Sequence, residues 1–399
     1  MKKKNYILIC IIPLIILCCV SSITILTHRK KAPLKIASYD LPQRVENAVS
    51  SLLNEKYPAQ FEFVQLDSTL SLEAQKNILK NCSLVLFTEN AQTAVYLADN
   101  HAKPLDNSLS ENFPVSIKEK IFHNDSSLKI LPLLYDFCEL DLYRPYYDKT
   151  GQKTLATWND LLYTAYLEKS QTDTPLILPF ADDADFLDCL GMITEALCGY
   201  QTYEKMLFDF SAAKEDKEQL KKTIEAYCAK DQCLNQVITE ISGLIKSGVI
   251  SRAARNFTGD DTFFYMDNGL CGIAFTSLSQ HRKLAPKTAN NFVSIYIPSK
   301  EFTSDRKFAA DQISLSLLKK DKLALELAKR LSDDWQESLA TLSGLAPVQK
   351  NSAVPDHQAD DVRFWLAASK GPVLPLSKAI YTQELRSFAA GILRDKVLN

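Results

Sequence analysis

Beyond residue 33 the apolar residues switch repeatedly between two periods, and this alternation constrains the fold more than any other feature of the chain. Leu34–Ser38 is a short apolar run that turns out through Tyr39, Asp40, Leu41 and Pro42. Arg44–Glu55 then sets Val45, Val49, Leu52 and Leu53 at helical spacing. Gln60–Leu66 alternates as a strand, Leu70–Lys80 reads as a helix, Ser83–Phe87 as a buried strand and Ala91–Asp99 as a helix. Three strand–helix units in succession specify an α/β layer around an internal, largely parallel sheet. Further strands are predicted over Leu128–Leu134, Glu139–Tyr143, Leu176–Phe180, Cys271–Thr276 and Phe292–Ile297. Helices are predicted over Thr157–Tyr166, Phe186–Cys198, several stretches of 203–249, and most of the chain from Ala309 onward. Thr157 suits an N-cap, with Asp160 three residues on. A length of 399 residues suits two domains.

The amino terminus is built differently. Lys2, Lys3 and Lys4 precede an uncharged run whose apolar part is Ile7–Leu26, and His28, Arg29, Lys30 and Lys31 close it. Twenty helical residues span about 30 Å, the thickness of a bilayer's hydrocarbon core. Three readings fit: an uncleaved hydrophobic anchor helix, a lipoprotein signal processed at Cys18 or Cys19, and a signal peptide cleaved after Ser22. All three place residues 32–399 across the membrane, at the periplasmic or extracellular face. Six of the 46 basic residues and none of the 48 acidic ones lie in the first 31, so the body carries 40 against 48, a net charge of −8. An acidic body of this kind is not a nucleic-acid binder.

The chemistry that is missing narrows the function. Glycine supplies only 11 of 399 residues and no G-x-G occurs, which disfavours phosphate-cradling enzymes. The five histidines offer no pair at metal-ligand spacing, and there is no G-x-S-x-G elbow. Ser126 with Lys129, and Lys149-Thr150-Gly151, lie too close in sequence for a serine acyl-transferase. Seven cysteines remain after residue 31, without a CxxC; Cys228 and Cys233 are candidates for a local disulfide and the others suit small core positions. Asp182, Asp183, Asp185 and Asp188 form a carboxylate cluster without the glycine and closing glutamate of a calcium loop. No enzyme, cofactor or metal site is expected.

Four ordered segments carry a resemblance. Leu131-Pro132-Leu133-Leu134-Tyr135-Asp136 is followed by Thr157-Trp158-Asn159-Asp160-Leu161-Leu162. Then come Met266-Asp267-Asn268-Gly269-Leu270-Cys271-Gly272-Ile273-Ala274-Phe275, Leu342-Ser343-Gly344-Leu345-Ala346-Pro347, and Ala368-Ser369-Lys370-Gly371-Pro372-Val373-Leu374-Pro375. Taken together, 34–399 resembles the extracellular solute-binding proteins of carbohydrate ABC transporters, the maltose-binding-like group. The resemblance implies a two-lobed α/β fold of the type II periplasmic-binding-protein kind, with mixed sheets flanked by helices, here preceded by one N-terminal hydrophobic helix. It implies a first lobe of 34–133 plus about 292–330, a second of 134–291 plus about 331–399, and hinges near 131–138 and 290–300. The implied function is capture of a small solute, a sugar or oligosaccharide, and its delivery to ABC permease subunits. The alternative is a membrane-anchored sensor or interaction protein that kept the fold.

Sugar binding needs aromatic faces for stacking, and carboxylates and amides for hydroxyls. By the resemblance, Tyr381 occupies the stacking position, Asp136 the hinge-side carboxylate, Thr88, Glu89 and Asn90 one contact loop, Tyr39 and Asp40 another, and Asp182 and Asp185 the second lobe's loop. Thr276-Ser277-Leu278-Ser279-Gln280-His281 departs from the pattern, having no aromatic residue where many members carry tryptophan. One stacking platform is therefore missing, which points to a smaller or more polar solute, or to lost binding.

Overall fold

A computed structural model of the chain describes residues 33–66, 72–96, 101–122, 126–303 and 305–398. The N-terminal segment, with its anchor and signal readings, lies outside the described residues, as do the first two residues of the helix expected over Leu70–Lys80 and the last three of that over Ala91–Asp99. No helix among the described residues is long and apolar enough to cross a membrane.

Ten strands are described: β1 Leu34–Tyr39, β2 Phe61–Leu66, β3 Leu84–Thr88, β4 Leu131–Tyr143, β5 Thr174–Ile177, β6 Cys271–Ser277, β7 Phe292–Ile295, β8 Phe308–Leu317, β9 Ala346–Pro347 and β10 Pro372–Val373. The predicted α/β alternation forms. The helix Gln43–Lys56 buries Val45, Val49, Leu52 and Leu53, and its crossover sets β2 parallel to β1. β3 joins β1 in parallel on the other side. The strand order is β2-β1-β3-β8-β4-β6-β5; the pairings from β3 through β8 and β4 to β6 are antiparallel, β5 joins β6 in parallel, and β7, β9 and β10 attach beside that path.

β4 is the strand that ties the molecule together. Over Leu131–Phe137 it pairs with β8, and over Cys138–Tyr143 with β6 and β7. It is a single 13-residue strand where the sequence pattern predicts two short ones. The gap between the two predicted strands holds the polar Asp136, which is buried like Glu139 and Asp141 of the second strand, and all three side chains are hydrogen-bonded. The chain returns from β7 to β8 between Ile295 and Phe308.

The helical expectation from Ala309 onward fails at β8. Its sequence FAADQISLSL has alanines and small polar residues, a weak strand signal by propensity. It is a strand because both faces are covered: Gln312, Ser314 and Ser316 are buried on one face and Ile313, Leu315 and Leu317 on the other, with Ser316 donating to the Lys129 carbonyl at 2.9 Å. After β8 the chain is mostly helical as expected, and the helix Gln336–Ser343 packs on the helix Gln43–Lys56. The C-terminal helix Gln383–Leu398 packs on Asp183–Cys198 and Cys233–Lys246. The helix Trp158–Glu168 opens with a capping box, Thr157 bonding the Asp160 backbone and Asp160 bonding Thr157 in return.

Cysteine pairing differs from the sequence expectation. Cys233 bonds Cys198, with 6.2 Å between their Cα atoms, and Cys228 is free. The bond pins the end of one helix to the start of another 35 residues later, which local spacing in the sequence does not reveal. Cys82, Cys189 and Cys271 are buried, free core residues.

Candidate ligand-binding site

Where β4 passes from one set of partners to the other, it faces a cavity of about 300 Å³. β4 supplies Asp136 and Cys138, and the start of β8 supplies Ala309, Ala310 and Asp311. The helix Asp183–Cys198 contributes Asp185, Asp188 and Met192, three and four residues apart and so on one face. The turn after β6 contributes Ser277, Ser279, Gln280 and Lys283, and Pro375 completes the lining. The small side chains at the start of β8 leave the space that the acids surround.

Four carboxylates thus face one small space. Asp136 accepts from the Ser279 N–H at 2.9 Å, and Asp185 from the Gln280 amide at 3.3 Å. Asp188 accepts from the Ser377 N–H and hydroxyl at 2.8 and 2.9 Å, while Asp311 Oδ1 is buried with no partner. Asp136 and Asp311 are direct cross-strand partners, a placement in which like charges destabilise the ladder. Burial pushes the Asp136 and Asp185 carboxyls up to about 6 and that of Asp188 up to about 7, and it raises Asp311. Neighbouring acids add to the rise: Asp182 on Asp185, and Asp311 on Asp188.

The residues proposed from the sequence fall into separate groups. Asp136 and Asp185 line the cavity. Tyr39, Asp40, Thr88, Glu89 and Asn90 gather at the ends of β1 and β3. There the Tyr39 hydroxyl donates to Gln92 at 2.5 Å and the Thr88 hydroxyl to the Asp40 carbonyl at 2.6 Å. Asn90 accepts from the Thr93 N–H at 2.9 Å and so caps the helix Ala91–Tyr96. Glu89 pairs with Lys120 at 2.9 Å and accepts from Gln312 at 2.6 Å. Lys378 connects the two groups: its ammonium lies 2.8 Å from Asp40. Burial opposes the charge on Lys378, but Asp311 and Asp40 outweigh it and raise the ammonium pKa. Asp182 is exposed and accepts from the Gly259 N–H at 3.0 Å. Tyr381 is only 7% exposed and does not line the cavity.

Several lining residues had no assigned role in the sequence. Asp188 stood in the Asp182–Asp188 cluster, and its spacing from Asp185 was the available signal. Asp311 gave none, because its segment reads as helix. Ser277, Ser279 and Gln280 form the stretch that lacks the expected aromatic.

On the opposite face of β4 lies a second polar group. Glu139, Asp141 and His281 are buried with ligand-capable atoms within 4.8 Å of one another, the single set among the described residues with the geometry to hold a metal. His281 Nδ1 is 2.9 Å from Asp141, which also accepts from the Thr276 and Ser294 hydroxyls at 2.6 Å each. Gln358 donates to Glu139, whose other oxygen has no partner.

No protein-family model and no curated protein matches the sequence. Solved structures do match. The bacterial solute receptor AcbH, reported to prefer β-D-galactopyranose, superposes with a TM-score of 0.68 at 12% identity, covering 91% of this chain and 96% of that one. A chitin oligosaccharide binding protein gives 0.62 at 13% identity, covering 91% and 98%. The GacH receptor of Streptomyces glaucescens, solved unliganded and with acarbose, gives 0.57 at 15% identity, covering 92% and 98%. The chain therefore has the α/β fold of bacterial solute receptors. It is the architecture that the sequence motifs of the maltose-binding-like group imply.

Proposed function

We propose that the chain is an extracytoplasmic receptor that captures a small solute, a carbohydrate or a close relative of one, and delivers it to the permease of an ABC transporter. The observation that carries this reading is the acid-lined cavity at the strand crossing, on a fold shared with solved solute receptors. It acts by enclosing its ligand, not by chemistry: carboxylates accept sugar hydroxyls, and hinge motion at the crossings closes the site.

The lobes are part of the proposal. Residues 34–133 with part of 292–330 form the first, and 134–291 with the C-terminal helices form the second. The packing of Gln336–Ser343 on Gln43–Lys56 favours moving that helix into the first lobe. An N-terminal anchor or lipoprotein segment would hold the receptor at the membrane. The Cys198–Cys233 disulfide supports an oxidising, extracytoplasmic compartment.

A ligand that binds only the folded state raises its stability by about 2.7 kcal/mol at a hundredfold excess over Kd. Thermal unfolding against mono- and disaccharides, polyols and amino sugars is therefore a direct test, with a rise in Tm expected for at least one. No rise at millimolar concentration with any of them would remove the receptor reading. The absence of aromatic rings from the lining would then favour the anchored sensor or interaction protein.

A further inference from the structure

We propose that the solute is a cation: a small hydroxylated molecule bearing an amine, such as an amino sugar, rather than a neutral sugar. This rests on the receptor reading above and names the ligand class of the same cavity.

The cavity is charged beyond what hydroxyl recognition needs. Asp136, Asp185, Asp188 and Asp311 face it, against one lysine, Lys283. Among the described residues none of the four carboxylates lies within ion-pair distance of a lysine, arginine or histidine nitrogen. Lys283 instead sets its ammonium 5.0 Å over the Phe263 ring, and Lys378, whose charge Asp311 and Asp40 both sustain, makes its ion pair with Asp40, which leaves one cation for five carboxylates. Buried charges are ordinarily paired. Two of these acids also oppose each other across a strand pair, and Asp311 presents a buried oxygen that nothing satisfies.

A neutral sugar accepts hydrogen bonds from such a site's donors and gives its hydroxyls to its carboxylates, but it leaves the excess negative charge uncompensated. A protonated amine supplies the missing charge and two or three N–H donors at once. A bare metal ion fits less well. The aspartates are spread around a cavity of about 300 Å³ and do not converge as Glu139, Asp141 and His281 do. The lining offers no aromatic face for stacking, so affinity has to come from charge and hydrogen bonds. Ser277, Ser279 and Gln280 suit the ligand's hydroxyls.

The test is titration calorimetry on the full chain with matched trios: glucosamine, N-acetylglucosamine and glucose; galactosamine and its two counterparts; and the glucosamine β-1,4 disaccharide and its two counterparts. The amine member of at least one trio is expected to bind at least tenfold more tightly than its acetylated and hydroxyl partners. Asp311→Asn is expected to shrink that preference to less than threefold, and Asp185→Asn serves the same purpose should the first variant fail to fold. If neutral members bind as tightly as their amines, the amine proposal fails and the receptor reading stands. If no member of any trio binds, both fail.

Discussion

One helix, Asp183–Cys198, carries acids in two opposite settings. Near its C-terminus, Glu195 is 2% exposed and meets Arg306, 4% exposed, through both carboxylate oxygens. Arg306 also donates to the Ile297 carbonyl at 3.2 Å and stacks over Phe308 at 4.8 Å. This pair braces the return of the chain from β7 to β8. Two to three turns earlier, Asp185 and Asp188 face the cavity with Asp136 and Asp311, and among the described residues none of the four makes an ion pair, although Lys283 shares the lining. A third solution lies at Glu168, which is 0% exposed and has no partner for either oxygen, its carboxyl pushed up to about 8 by burial. Glu168 keeps its proton near neutral pH. Pairing, protonation and vacancy are three ways to place an acid out of water, and only vacancy leaves room for a ligand.

The largest effect is expected where the pairing is complete. Arg306→Ala leaves Glu195 buried and unpaired, and should cost about 3–5 kcal/mol in denaturant unfolding. A loss under about 1 kcal/mol would mean that the pair is not a brace. Next is Glu168. An acid whose folded pKa is raised gives stability that is present below its unfolded pKa, near 4.5, and lost as pH rises through about 8. From this group alone the protein should lose about 3 kcal/mol between pH 5 and pH 8. Glu168→Gln should remove that part of the pH dependence, and an unchanged pH profile would refute the assignment.

The cavity acids follow the same sign over a lower window. Asp136, Asp185 and Asp188, with folded pKa values of about 6 to 7, stabilise most below about 4 and lose their contribution as pH rises through that range. Lys378, whose ammonium pKa Asp311 and Asp40 raise, stays charged throughout. The Tm of the empty protein should fall from pH 4.5 to pH 7.5, and a flat profile would mean that the acids are already compensated. The smallest effect is expected at Tyr381. It is buried outside the lining, so Tyr381→Phe should change solute affinity less than threefold in calorimetry. A tenfold loss would return it to the binding surface.

The β1–β3 layer was legible because its helix faces and buried strands repeat at their own periods, as Val45, Val49, Leu52 and Leu53 show. The Thr157–Asp160 cap was legible because it is a local device. β8 was not, since its small residues become a strand only when both faces are covered by distant segments. That failure hid Asp311, the cross-strand partner of Asp136. The Cys198–Cys233 bond was hidden for the same reason, because the helices that align it are set by tertiary packing. Asp136 and Asp185, named from motif position, lie in the cavity lining, while Tyr381, named from its spacing after Pro375, is buried outside it.

The most direct test of the contrast between paired and vacant acids is thermal unfolding of wild type and Asp185→Asn/Asp311→Asn at pH 7. Each is measured empty and with the tightest-binding member of the trios. Acids kept for a ligand predict a higher Tm for the empty variant and a ligand-induced rise that disappears. A lower Tm for the empty variant, with the wild-type rise intact, would show that these acids hold the fold and not the solute.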